Sequence, residues 1–128
     1  MKTTIKKTII LIVVLIIVAC GKSDPMDAPA EQIAQVTLKT NYANPTDLAK
    51  LEEQARNEWN MDAKKLIKVC SIAALQYMKM TPAQAGKIAA QMANPAGGDD
   101  TARDLAAGFG NHLTRCLTKP SAYDVSKS

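Results

Sequence analysis

Three times in this chain a helix-capping residue is followed at once by residues suited to a first helical turn. Those points constrain the fold class more than any other feature. Asn44-Pro45-Thr46-Asp47 reads as an N-cap, a proline at the first helical position and an acid in the first turn. Thr81-Pro82-Ala83-Gln84 combines a capping box with the same proline signal. Asp99 and Asp100 follow the breaker Asn94-Pro95-Ala96-Gly97-Gly98 and place carboxylates at the positive end of a further helix.

The residues between these points carry apolar stripes at helical spacing. A short first segment around 30–40 is the least regular, with Ile33, Val36 and Thr40 on one face. After Asn44 the stripe is Leu48, Leu51, Ala55 and Trp59, and Asn60 permits a break. With Asp62 in its first turn, the third segment puts Ala63, Leu66, Ile67, Cys70, Ala73, Ala74, Tyr77 and Met78 on one face. The helix opened at Pro82 carries Ala85, Ile88, Ala89 and Met92. The last carries Ala102, Leu105, Ala106, Phe109, Leu113, Cys116 and Leu117, until Pro120 stops it. No alternating strand pattern competes, and only five aromatic residues are present among many alanines. The expectation is all-α: a single helical domain over 30–120, built as a bundle of four to five short helices, with a loose tail over 121–128.

The N-terminus is different in kind. Lys2, Lys6 and Lys7 precede an unbroken apolar run from Ile9 to Val18, and Ala19-Cys20-Gly21 follow. A membrane-crossing helix needs roughly 20 apolar residues, about twice this run. A basic start, a short apolar core and a small residue at its end describe a secretory signal peptide. Ile17-Val18-Ala19-Cys20 resembles the lipobox of bacterial lipoproteins. That resemblance covers only the first twenty or so residues. It implies removal of residues 1–19 by cleavage between Ala19 and Cys20, diacylglycerol on the Cys20 sulfur, and attachment to a membrane outside the cytoplasm. Gly21 stands where an Asp would retain such a protein in the inner membrane of a two-membraned cell, which points to the outer membrane, facing the periplasm. Residues 20–29, polar and broken by prolines, read as a lipidated tether.

Losing the leader changes the charge argument. The net charge of +4 includes its three lysines, so the remainder is only about +1. A nucleic-acid partner therefore loses its electrostatic support. Lys64, Lys65 and Lys68 do cluster, yet Glu52, Glu53, Glu58 and Asp62 stand close before them. A solvated helix face is the first reading of these lysines, and a docking patch for an acidic partner the second.

With Cys20 lipidated, Cys70 and Cys116 are left as a pair in a disulfide-permissive compartment, each on the apolar stripe of its helix. The expectation is a structural disulfide closing a loop of about 47 residues. The rival is a metal or redox site with His112, which shares a helix face with Cys116. One histidine and two cysteines fall short of the ligands zinc usually takes, so no metal and no cofactor is expected.

Other motifs support no chemistry. Gly108-Phe109-Gly110 lies within a helical stripe and lacks the strand and the Lys-Ser/Thr of a phosphate loop. Its glycines suggest close helix approach or a bend, with Ala85-Gly86 and Ala89-Ala90 as the small residues on the other side of such an approach. Met61, Met78, Met80 and Met92 read as core filler, and no nucleophile–base set accompanies His112. No catalytic residue is expected. In architecture alone, small disulfide-stapled helical lipoproteins of this kind resemble secretion pilotins, toxin-immunity proteins and exclusion lipoproteins. That resemblance implies binding of one envelope or secreted protein, with Tyr42, Trp59, Lys64, Lys65 and Lys68 as the candidate surface. Envelope assembly, or carriage of a small molecule or metal in an interhelical cleft, are the alternatives.

Overall fold

A computed structural model describes residues 25–125, so the lipobox and leader lie outside the described residues. The described chain forms five α-helices and a closing 3-10 turn, with no strand among these residues. The helices are α1 (Asp27–Thr40), α2 (Pro45–Trp59), α3 (Ala63–Tyr77), α4 (Pro82–Ala93) and α5 (Asp100–Thr118); the 3-10 turn spans Pro120–Tyr123.

The punctuation seen in the sequence is made physically. The Asn44 side chain accepts the Thr46 N–H at 2.8 Å, and Asp99 accepts that of Ala102 at 2.8 Å. Thr81 and Gln84 exchange both bonds of a capping box, at 3.2 and 2.9 Å. Each such cap contributes about 1 kcal/mol by satisfying an amide that the helix itself cannot. Asn60, in the left-handed region at φ 57°, turns the chain out of α2. Asp62 is the cap of α3 rather than part of its first turn, accepting from the Lys65 amide at 2.7 Å.

Both ends of the domain extend past the expected limits. α1 begins at Asp27, and Met26 already lies in the core at 8% exposure. Pro29 does not delay it, because the third helical residue has no intrahelical amide bond to lose. At the other end Pro120 stops α5 but does not release the chain. Pro120 is buried within the 3-10 turn, and Val125 follows into the core at 7% exposure. Tyr123 and Val125 are therefore packed rather than loose, while Ser121, Ala122 and Asp124 stay exposed.

α3 is the centre of the assembly, packing against α1, α2, α5 and the 3-10 turn, while α4 covers α1 and α5. With neighbours over so wide an arc, α3 buries Ser71 and Leu75 as well as Leu66, Ile67, Cys70 and Ala74. The Ser71 hydroxyl is satisfied by donating to the Ile67 carbonyl at 2.7 Å. The arc ends before Ala73, which is only partly buried, and before Tyr77, which is 63% exposed. Both were expected on the core face.

Close approach between helices comes from alanine, not glycine. Ala30, Ala34, Ala74, Ala85 and Ala89 are fully buried. A methyl group added at Gly86 or Gly110 would meet nothing within 4 Å, and at Gly108 only the Met78 methyl at 3.5 Å. The glycines therefore open no helix interface.

Cys70 and Cys116 form a disulfide joining α3 to α5, with Cα atoms 5.6 Å apart and no exposure of either residue. Among the described residues the core extends from Met26 to Val125. Joint Cys70→Ala and Cys116→Ala replacement should cost up to about 4 kcal/mol, the chain-entropy value for such a loop. Urea unfolding followed by circular dichroism should show a lower midpoint with native helicity retained. Two titratable thiols at these positions in the native protein would contradict the bridge.

Candidate functional site

The solvent side of α3 carries Lys65, Val69, Ile72 and Gln76, spaced four, three and four residues apart. That spacing keeps all four on one face of a helix. Val69, Ile72 and Ala73 are only partly buried there, although they pack against the edge of the core. Alongside this face runs the chain from Ala122 to Val125, and Met61 closes one part of the wall. Together they line an open groove of about 750 Å³.

The wall opposite α3 is held by an aromatic contact. The Tyr123 hydroxyl lies 2.8 Å from His112 Nδ1; with the imidazole proton on Nε2, the hydroxyl donates. The Tyr77 ring lies 4.8 Å from the His112 ring and 5.3 Å from the Tyr123 ring, tilted and edge-on respectively. Such edge geometry matches positive ring edges to negative ring faces. His112 is thereby used in fixing the C-terminal turn to α3 and α5. Cys116, one turn further along α5, has its sulfur bonded to Cys70, so the three do not converge as ligands. Among the described residues no group of three His, Cys, Asp or Glu side chains is placed to hold a metal.

The five residues expected as one surface are dispersed. Trp59 is 9% exposed and belongs to the core. Its place on the Leu51–Ala55 stripe turns it inward at the last position of α2. Tyr42 is half-buried beside a separate cavity of about 300 Å³, lined also by Thr37, Gln54 and Leu113. Burial, and then the negative charge of Asp47, push its phenol above the ordinary tyrosine value. The Thr37 hydroxyl at that cavity is sealed from solvent and finds no partner among the described residues, so it offers no ligand contact.

Lys64, Lys65 and Lys68 do share a region, but their setting is not a bare basic patch. Lys64 pairs with Glu31 of α1, and Lys68 pairs with Asp27 at 2.8 Å and Glu31 at 3.5 Å. The acids expected to balance these lysines stood before them in sequence; α1 supplies the partners instead. The hydrogen bond from Lys64, aided by the charges of both lysines, holds the Glu31 carboxyl below the ordinary glutamate value. The bond to Asp27 holds the Lys68 ammonium above the ordinary lysine value.

Val69, Ile72, Tyr77 and Tyr123 are the site residues that sequence reasoning missed. The four-three-four spacing on α3 is a signal that could have shown the first two, because it sets a second apolar stripe beside the main one. Tyr123 had no such signal, since its place depends on the turn after Pro120.

The Glu31 ion pair has a definite pH signature. Because its pKa is depressed on folding, the stabilisation is complete above the unfolded glutamate value and is lost as pH falls through the lower folded value. Carboxyl-detected NMR should show Glu31 titrating below ordinary glutamate, and Lys64→Met should move it back up. A parent Glu31 that titrates like a model peptide would contradict the ion pair. High salt should weaken the effect, since these side chains are partly exposed to solvent.

Comparison of the chain with protein-family models, with curated proteins and with solved structures gives no match.

Proposed function

We propose that this chain is a lipoprotein anchored by Cys20 at the extracytoplasmic side of a membrane, and that its helical domain binds one envelope or secreted protein without catalysis. The groove along α3 carries the reading. It is open, floored by Val69, Ile72 and Ala73, edged by Tyr123, Met61 and Lys65, and fastened to a disulfide-stapled frame. Tyrosine and methionine are enriched at interfaces because they bury large areas with few rotatable bonds or adaptable packing. A frame already rigid before binding loses little further entropy on association.

Location comes from the lipobox resemblance of Ile17-Val18-Ala19-Cys20, and Gly21 favours the outer membrane, facing the periplasm. Two acyl chains hold a protein firmly where one does not, at about 0.8 kcal/mol per buried methylene. Pilotins, immunity proteins and exclusion lipoproteins, similar in architecture, are the classes of binder against which a captured partner would be judged.

A photo-crosslinking residue placed at Ile72 in intact envelopes should yield one discrete adduct, and the same residue at exposed Glu52 on α2 should not. Equal labelling from both positions, or none from either, would sink the binding reading. Separately, Cys20→Ser should leave the protein without lipid and displaced from membranes. Retention after an alkaline wash would overturn the anchor.

A further inference from the structure

Val69 and Ile72 belong to two surfaces at once. They floor the groove beside the C-terminal turn, and they also line a shallow cavity of about 420 Å³ with Asp27 and Glu31 of α1. The apolar floor is therefore continuous from the groove to the first turns of α1. Lys68 pairs with Asp27 at 2.8 Å, and Lys64, one turn earlier, pairs with Glu31. The start of α1 is thus held beside the N-terminal half of α3, next to that floor.

The chain between Cys20 and this point is short. Five residue steps separate Cys20 from Pro25, an extended span of at most about 17 Å. The groove follows α3 from Lys65 to Gln76, about 16 Å at the helical rise. A chain attached at the Cys20 sulfur consequently reaches Val69 and Ile72 without any rearrangement of the helices. Gly21, Lys22, Ser23 and Asp24 carry no apolar side chain to bury there. An acyl chain is the opposite case, because every methylene that leaves water for Val69, Ile72 and Ala73 favours the contact.

We infer that an acyl chain on Cys20 lies along Val69 and Ile72 while it is out of the bilayer, and vacates the groove on insertion. This inference rests on Cys20 as the lipid-bearing residue and on the groove as the partner site. The groove is open on one side and covers an acyl chain only in part, whereas a bilayer surrounds it, so insertion wins wherever a membrane is present. One contact then does two things: it shields the lipid away from the membrane, and it keeps the partner site closed until the protein is anchored.

The test uses the chain from Cys20 onward, which is the mature form under that reading and keeps every described residue. Cys70 and Cys116 are bridged, so a maleimide reacts at Cys20. It carries either a hexadecyl chain with a mid-chain diazirine or, as control, the same diazirine on a short polar chain. The monomer is isolated by size exclusion and irradiated, and adducts are mapped by peptide mass spectrometry. With the long chain, adducts over residues 65–76 should exceed those on α2 by roughly fivefold or more, as expected of apolar burial, and the short chain should show no such preference. Phosphatidylcholine vesicles should lower the groove adducts by roughly tenfold and move the label onto lipid. Adducts spread evenly over the helices, adducts formed only between molecules, or groove adducts unchanged by vesicles would each overturn the inference.

Ile72→Asp should lower the groove adducts of the monomer by roughly fivefold, the value for losing about half of a side chain's burial. Methyl NMR gives a reading that needs no variant. The Val69 and Ile72 methyls should shift between the long-chain and short-chain conjugates, while Leu48 on α2 should not; unshifted Val69 and Ile72 would refute the contact. The acyl chain is attached by synthesis, so these results do not depend on whether cells acylate Cys20, which the Cys20→Ser fractionation judges by itself. Crosslinking from Ile72 in intact envelopes likewise judges the partner site separately.

Discussion

The covalent link between α3 and α5 is the constraint on which the rest of the domain leans. The core is built largely from alanine and medium aliphatic side chains around one phenylalanine and one tryptophan. A core of this kind gains little from any single contact, and a domain of this size holds only about 5–15 kcal/mol in total. Joining Cys70 to Cys116 removes a large share of the unfolded chain's freedom. It also fixes the central helix to the longest one. α1, α2 and the C-terminal turn then pack against a pair that cannot separate.

Much of this arrangement was legible in the sequence because its signals are local. Asn44-Pro45, the Thr81–Gln84 box and Asp99 each act within one turn of chain, and the structure has helices starting at all three. The pairing of Cys70 with Cys116 was legible for another reason, because both lie on apolar stripes and no other cysteine lies within the helical domain. The domain ends were not legible. Met26 and Val125 stand beside polar residues in sequence, and their burial comes from tertiary packing against the core rather than from any local pattern.

The site was the harder part. Periodicity gave α3 one apolar face, but a helix with neighbours on several sides buries an arc wider than a stripe. Ser71 and Leu75 went inside, while Tyr77 came out. Trp59 shows the converse: a large aromatic residue invites a binding role, yet its own spacing had already turned it inward. The lysines were judged by their neighbours in sequence, whereas their counter-charges are neighbours in space. Long-range pairing of this kind leaves no trace in a single chain.

The ion pairs between α1 and α3 have a mechanical consequence. Asp27 and Glu31 stand in the first two turns of α1, and both meet lysines in the first half of α3. In the proposed arrangement, a load arriving at the start of α1 passes directly to the helix that lines the groove and carries one end of the disulfide. The force between anchor and partner then need not travel through α2 or α4.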